Sequence, residues 1–208
     1  MDNNVLRFYL DTYALKNVIR TGWNEVGISC ERLESVAEHI YGCLILILAL
    51  DSEKNLDLDI LKVIKMTIIK ELEKVTIKEF TTRNYLTSEE RKIASFKTFT
   101  KLTENLIKKD EMLAILDEYN KGESKEAKFV HQLSKIESDI QAKIYDLEGY
   151  FDLNNAKEDA KYYGEPLSSE IIPQMQNASD GWILYDRIYY QDDIFKELSE
   201  TTQTLKSL

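Results

Sequence analysis

Glu34-Ser35-Val36-Ala37-Glu38-His39-Ile40-Tyr41 runs without a break into Gly42-Cys43-Leu44-Ile45-Leu46-Ile47-Leu48-Ala49-Leu50. Acidic residues at its start suit the positive end of a helix. From Leu44 to Leu50 the stretch is apolar almost all round, so it predicts a helix buried at the centre of the fold. It also carries His39, one of only two histidines in 208 residues. Whatever chemistry this chain performs has few imidazoles to draw on.

Outward from that helix, the rest of the chain also reads as helical. Seven glycines and two prolines are few for 208 residues, and both prolines (Pro166, Pro173) fall late. Long runs of Leu, Ile, Lys and Glu with so few breakers predict an all-α fold. Before the central helix, Leu6, Tyr9, Leu10, Tyr13 and Leu15 predict a helix over residues 3 to 20, and Thr21 to Leu33 reads as irregular. After it, a third helix from about Asp57 to Phe80 places Leu61, Ile64, Ile68, Leu72 and Val75 on one face. Ser88 opens the next, and a shorter one runs from about Glu111 to Tyr119. The longest amphipathic stripe, through Phe129, Leu133, Ile136, Ile140, Ile144 and Leu147, predicts a helix from about Ser124 to Tyr150. Beyond Phe151 the pattern loosens, with a turn at Gly164-Glu165-Pro166 and a last helix over Trp182 to Leu198. One domain over residues 1–208 is the expectation from length, with 151–208 as a C-terminal helical extension.

A net charge of −10 argues against a nucleic-acid partner, because phosphate-backbone recognition needs basic surface. Cys30 and Cys43 have no disulfide framework around them and read as reduced thiols. Met1-Asp2-Asn3-Asn4 lacks the basic and apolar regions of a signal peptide. The strongest apolar run, Cys43 to Leu50, is far short of the roughly 20 residues needed to span a bilayer. A soluble cytoplasmic protein without membrane contact is expected.

Upstream of His39 stands Arg20-Thr21-Gly22-Trp23. Arg-x-Gly-Trp, a short loop, and then Glu-Ser-Val-Ala-Glu-His-x-Tyr resembles the start of the HD-domain metal-dependent phosphohydrolases, most closely their 5′-deoxynucleotidase branch. The resemblance covers roughly residues 15 to 150. It implies an all-α HD-type helical bundle, a homodimer, and a divalent metal (Mn, Co, Zn, Fe or Mg) whose first ligand is His39. The family's second helix supplies a His-Asp pair, a following glutamate and a Gly-Asp pair. Laid on Ile68-Ile69-Lys70-Glu71-Leu72-Glu73-Lys74-Val75-Thr76-Ile77-Lys78-Glu79, those positions hold Lys70, Glu71, Lys74 and Lys78-Glu79. The family's late aspartate falls within Phe129-Val130-His131-Gln132-Leu133-Ser134-Lys135 at Ser134. The metal positions by resemblance are therefore His39, Lys70, Glu71 and Ser134, and the catalytic ones Lys74 and Glu79.

The replacements change the chemistry. Divalent transition metals want imidazole and carboxylate donors. His39 and Glu71 supply such donors, but a lysine ammonium donates only and cannot ligate while protonated. A serine hydroxyl is a poor exchange for a carboxylate. Lys70 is instead expected to pair with Glu71, exchanging charge for charge. Lys74 replaces a proton donor with a group that keeps its proton and binds phosphate more readily. His131, one helical turn before Ser134, is the alternative ligand for a relocated site with His39 and Glu71. In the deoxynucleotidase branch, Arg20, Trp23, Arg32 and Glu34 match residues beside the nucleotide pocket: an arginine offers a fork to phosphate and an indole a stacking face. The packing alternative is that Trp23 pins the loop to the core. The expected function is a non-catalytic HD relative needing no cofactor. Its expected partner is a phosphorylated, nucleotide-like small molecule, held by Arg20, Trp23, Arg32, Glu34, Lys70 and Lys74, or else a protein. The alternative is a 5′-nucleotidase-like hydrolase working through a modified ligand set.

Overall fold

The computed structural model describes residues 3–75 and 87–208. Among these the secondary structure is helical, with one isolated antiparallel bridge between Ile19 and Ser35. No described helix is long and apolar enough to cross a membrane. Contacts divide the described chain into two compact units: residues 3–20, 34–75 and 87–131 form the first, and 21–33 with 132–208 the second.

The first unit starts with α1 (Asn4–Tyr13), whose first-turn amides are accepted by the Asn3 side chain at 3.0 Å. The sequence pattern predicts one helix to residue 20, but α1 gives way to a 3₁₀ turn at Ala14–Lys16 and then to extended chain. There Val36 N–H donates to Val18 O at 2.8 Å, and Arg20 N–H donates to Glu34 O at 3.0 Å. Those two bonds fix Arg20 beside the entry to α3 (Val36–Glu53). Ser35 and Glu38 form a capping box there, each side chain satisfying the other's backbone N–H. Half of the opening motif is thus a helix start signal.

α3 is not buried on all sides. Val36, His39, Cys43, Ile47 and Leu50 face the core, whereas Tyr41, Ile45 and Leu48 are exposed. Burial selects the stripe at three- and four-residue spacing and leaves equally apolar neighbours in water. α4 (Ile60–Leu72) is capped by Asp59 and is followed by a 3₁₀ turn at Glu73–Val75. α5 (Ser88–Thr103) opens on a Thr87–Glu90 capping box, and α6 (Lys109–Lys121) ends at Gly122, whose φ of 66° is a left-handed cap. Leu15, Val36, Ile69, Leu72, Phe99 and Leu116 form this unit's core.

α7 (Lys125–Leu147) realises the long predicted stripe, and its course from residue 132 on belongs to the second unit. That unit adds α2 (Thr21–Glu25), in a segment that reads as irregular, and α8 (Leu153–Ala160), α9 (Leu167–Ile171), α10 (Asp180–Arg187) and α11 (Asp193–Thr204). The last two replace the single predicted terminal helix. Trp23 is fully buried, 4.6 Å between ring centroids from Trp182 and 5.5 Å from Tyr145. A β-carbon on Gly22 would come within 3.0 Å of the Trp182 ring, which accounts for the Gly-Trp pair. Trp23 is therefore a core residue, and the expectation of an exposed stacking face is corrected: no part of the indole reaches solvent.

Candidate functional site

α3 and α4 place His39, Cys43, Lys70 and Glu71 in the interior of the first unit, all buried. Lys70 and Glu71 form a direct ion pair. The other Glu71 oxygen, Oε2, is 2.6 Å from Lys74 Nζ, one turn on. Both lysines on this helix edge therefore converge on one carboxylate. Burial alone would raise the Glu71 carboxyl, but the Lys70 and Lys74 charges outweigh it and hold it well below the usual carboxylate range. Burial alone would likewise lower Lys70, and Glu71 reverses that, keeping the ammonium charged.

His39 lies against this pair. Its Nε2 is 3.6 Å from Glu71 Oε1 and 3.8 Å from Cys43 Sγ. Its Nδ1 is 3.3 Å from Arg20 Nη1, and the same guanidinium nitrogen is 3.1 Å from Glu34 Oε2. A guanidinium only donates, so Nδ1 must accept and the ring proton sits on Nε2, pointing toward Glu71. Burial, then the Arg20 charge, push the imidazole down to about 3, so it is neutral at physiological pH. Glu73 is also affected: burial and the charge of Glu71 push it up to about 7.

As paired here, the Glu71 oxygens and the His39 nitrogens do not offer free lone pairs to a divalent ion. A metal-bound histidine offers one ring nitrogen to the ion and donates the other N–H to an acceptor. Here the nitrogen aimed at Glu71 and Cys43 carries the proton, and the other faces a donor. Glu71, the one carboxylate at an expected ligand position, has an ammonium on each oxygen.

The remaining predicted residues are placed as follows. Arg20 and Glu34 join the cluster through the pair just described. Arg32 is exposed, and with Trp23 and Ser134 (half-buried on α7) it belongs to the second unit. His131 is exposed, stacked on Tyr119 at 4.1 Å, with its Nε2 3.0 Å from the Tyr119 carbonyl oxygen. That imidazole nitrogen is occupied in a local contact rather than presented as a relocated ligand. Lys78 and Glu79 lie outside the described residues. Two contributors are not anticipated from the sequence. Cys43 is legible as His39 plus four, which puts both on one helix face. Tyr119, whose ring centroid is 6.0 Å from Lys70 Nζ, comes from α6 and leaves no local signal.

The described residues make an all-α fold with a buried histidine beside a buried Lys-Glu pair. Residues 12–175 match the model of the HD domain, and the chain belongs to the HD domain family. It is 26% identical to the 5′-deoxynucleotidase HDDC2 of Dictyostelium discoideum over 193 residues, covering 84% of this chain and 98% of that one. It is 31% identical to the 5′-deoxynucleotidase HDDC2 of Mus musculus over 146 residues, 68% of this chain and 70% of that one. Among solved structures, a conserved hypothetical protein from Pyrococcus furiosus superposes with a TM-score of 0.63 at 24% identity, covering 96% of this chain and 99% of that one. A predicted metal-dependent phosphohydrolase from Magnetospirillum magnetotacticum does so with 0.59 at 15% identity, covering 96% and 88%. The likeness to the two solved structures is one of fold.

Proposed function

We propose that this chain is a non-catalytic HD-domain protein that has exchanged its metal centre for a salt-bridged polar core. It holds a phosphorylated, nucleotide-like small molecule at the cationic edge of that core. The observation that carries the reading is the capture of Glu71 by Lys70 and Lys74 together, with the His39 N–H aimed at the same carboxylate. Hydrolysis by a metal-activated water needs a donor set that offers lone pairs to the ion, and this one offers protons.

An anion would be met by the guanidinium of Arg20 and the ammonium of Lys74, which pair with Glu34 and Glu71. Arg20 and Lys74 are the members that reach solvent, with side chains 13% and 17% exposed. They are the groups a phosphate would meet. A second reading, a metal-dependent hydrolase of nucleoside 5′-monophosphates with a modified ligand set, draws support from the Cys43 thiol beside His39 and from the activity named for the HDDC2 relatives.

One pair of assays on purified protein separates the readings. A thermal-shift screen of nucleoside mono-, di- and triphosphates at low salt should show stabilisation that salt weakens. Phosphate release from deoxynucleoside 5′-monophosphates should stay at background, with or without added Co or Mn. Turnover that disappears in His39→Ala would establish the second reading. A screen with no response from any phosphorylated compound would remove the ligand from the first.

A further inference from the structure

Asn4, Arg7, Phe8 and Asp11 fall at helical spacing on one face of α1, and they line one cleft together with Thr98, Lys101 and Leu102 of α5. Val75, in the 3₁₀ turn after α4, and Leu106, beyond the end of α5, complete the walls of a cavity of about 350 Å³. All of these residues belong to the first unit. Phe8, Val75 and Leu102 also pack against its core, so the cleft has an apolar floor continuous with the interior. The polar residues above that floor stop the two helices from closing on each other as apolar ridges and grooves would. A cavity of this size, apolar below and edged by a few polar groups, is of the kind that takes a small molecule.

The charged groups at the edge are not equivalent. Glu104 accepts from the Asn105 side-chain amide at 3.3 Å, and Asp11 Oδ2 stands 4.0 Å from Arg7 Nε. Lys101 has no side-chain partner among the described residues. Arg7 meets Asp11 beyond hydrogen-bond distance, so the donors of its guanidinium stay open. We propose that the cleft between α1 and α5 binds a small amphipathic monocarboxylate, with the carboxylate between Arg7 and Lys101 and the apolar body on Phe8, Val75 and Leu102. A guanidinium offers a carboxylate two parallel N–H donors, and an ammonium adds a point charge. Asp11 and Glu104 set the charge of the ligand. A single negative charge is answered by the two cations, whereas the nearly double charge of a phosphate monoester would also be repelled by two carboxylates. The assignment uses neither Arg20 nor Lys74 and does not depend on the state of the buried centre.

The test is calorimetric titration of purified wild type, Arg7→Gln, Lys101→Gln and Thr98→Trp with octanoate, octylamine and octyl phosphate, with helix content checked by circular dichroism. Wild type should bind one equivalent of octanoate, more tightly than octyl phosphate and at least on the order of tenfold more tightly than octylamine. Arg7→Gln and Lys101→Gln should each weaken octanoate by on the order of tenfold, one charge-assisted contact apiece. Thr98→Trp keeps both cations and fills the cleft, so it should abolish binding. Should that variant not fold, the two glutamine variants, changed at the edge of the cleft, decide the matter alone. Amide shifts on adding octanoate should fall on α1 and on residues 98–106. No octanoate binding by folded wild type, octylamine binding as tight as octanoate, or octanoate binding unchanged in both glutamine variants overturns the proposal. Octanoate binding lost in Arg20→Ala or Lys74→Ala but kept in Arg7→Gln also overturns it, by placing the anion at the first site. None of these results touches the nucleotide reading, which its own screen tests.

Discussion

Replacing Lys70 by Met removes one of the two ammonium groups that neutralise a carboxylate with only 3% of its surface exposed. Taking one partner from a buried ion pair costs about 3–5 kcal/mol, because the charge left behind has lost its solvation and its counterion. Lys74 still holds Glu71 Oε2 at 2.6 Å, which compensates part of that charge. The low end of the range, about 3 kcal/mol, is therefore expected. For a chain of this size that lowers the melting temperature by roughly 6–12 °C. The assay is urea and thermal denaturation followed by far-ultraviolet circular dichroism, on Lys70→Met, Glu71→Gln and the double variant. Each single change strands a buried partner, whereas the double change removes both charges. The double variant should therefore lose less than the two singles added together, with a coupling of about 2 kcal/mol. A Lys70→Met penalty below about 1 kcal/mol, or strict additivity, would falsify the buried compensation on which the site is built.

Asp139 is buried in the second unit, where its Oδ2 accepts from Tyr190 OH at 2.7 Å and Oδ1 has no hydrogen-bond partner among the described residues. Burial, then the Asp186 charge, raise its carboxyl well above the 3.8 ordinary for an aspartate. The folded protein therefore keeps that proton to higher pH than the unfolded chain, so this group's stabilisation is full below 3.8 and declines as pH rises toward the folded value. Asp139→Asn cannot ionise, and its unfolding free energy from urea melts should gain on that of wild type by on the order of 1–3 kcal/mol between pH 4 and 8; a parallel pair of profiles would refute this. Trp23→Ala should cost about 3–5 kcal/mol as a core cavity, while a folded Trp23→Phe should bind phosphorylated ligands as wild type does, checked by calorimetry. Arg20→Ala and Lys74→Ala should each weaken such binding by on the order of tenfold, one charge-assisted contact apiece; unchanged affinity in both would place the ligand elsewhere.

Composition and periodicity settle the all-helical class, since a chain poor in Gly and Pro with stripes such as Phe129 to Leu147 has no other economical way to bury its apolar faces. The pairing of Lys70 with Glu71 is likewise legible, because neighbouring opposite charges at the end of a helix need little else to meet. Periodicity alone did not reveal that α3 buries one face and leaves Tyr41, Ile45 and Leu48 in water, because an apolar run carries no mark of which side the core will take. The sequence motif Arg-x-Gly-Trp suggested a ligand pocket, yet the fold divides it: Gly22 and Trp23 pack against Trp182, and only Arg20 joins the polar centre. The proton on His39 Nε2 was also beyond the sequence. It depends on a guanidinium 19 positions away, brought to Nδ1 by the backbone bridge between Val18–Arg20 and Glu34–Val36. Residue identity sets which groups can donate and accept, but burial and the direction of each partner decide which atom holds the proton, and those exist only once the chain has folded.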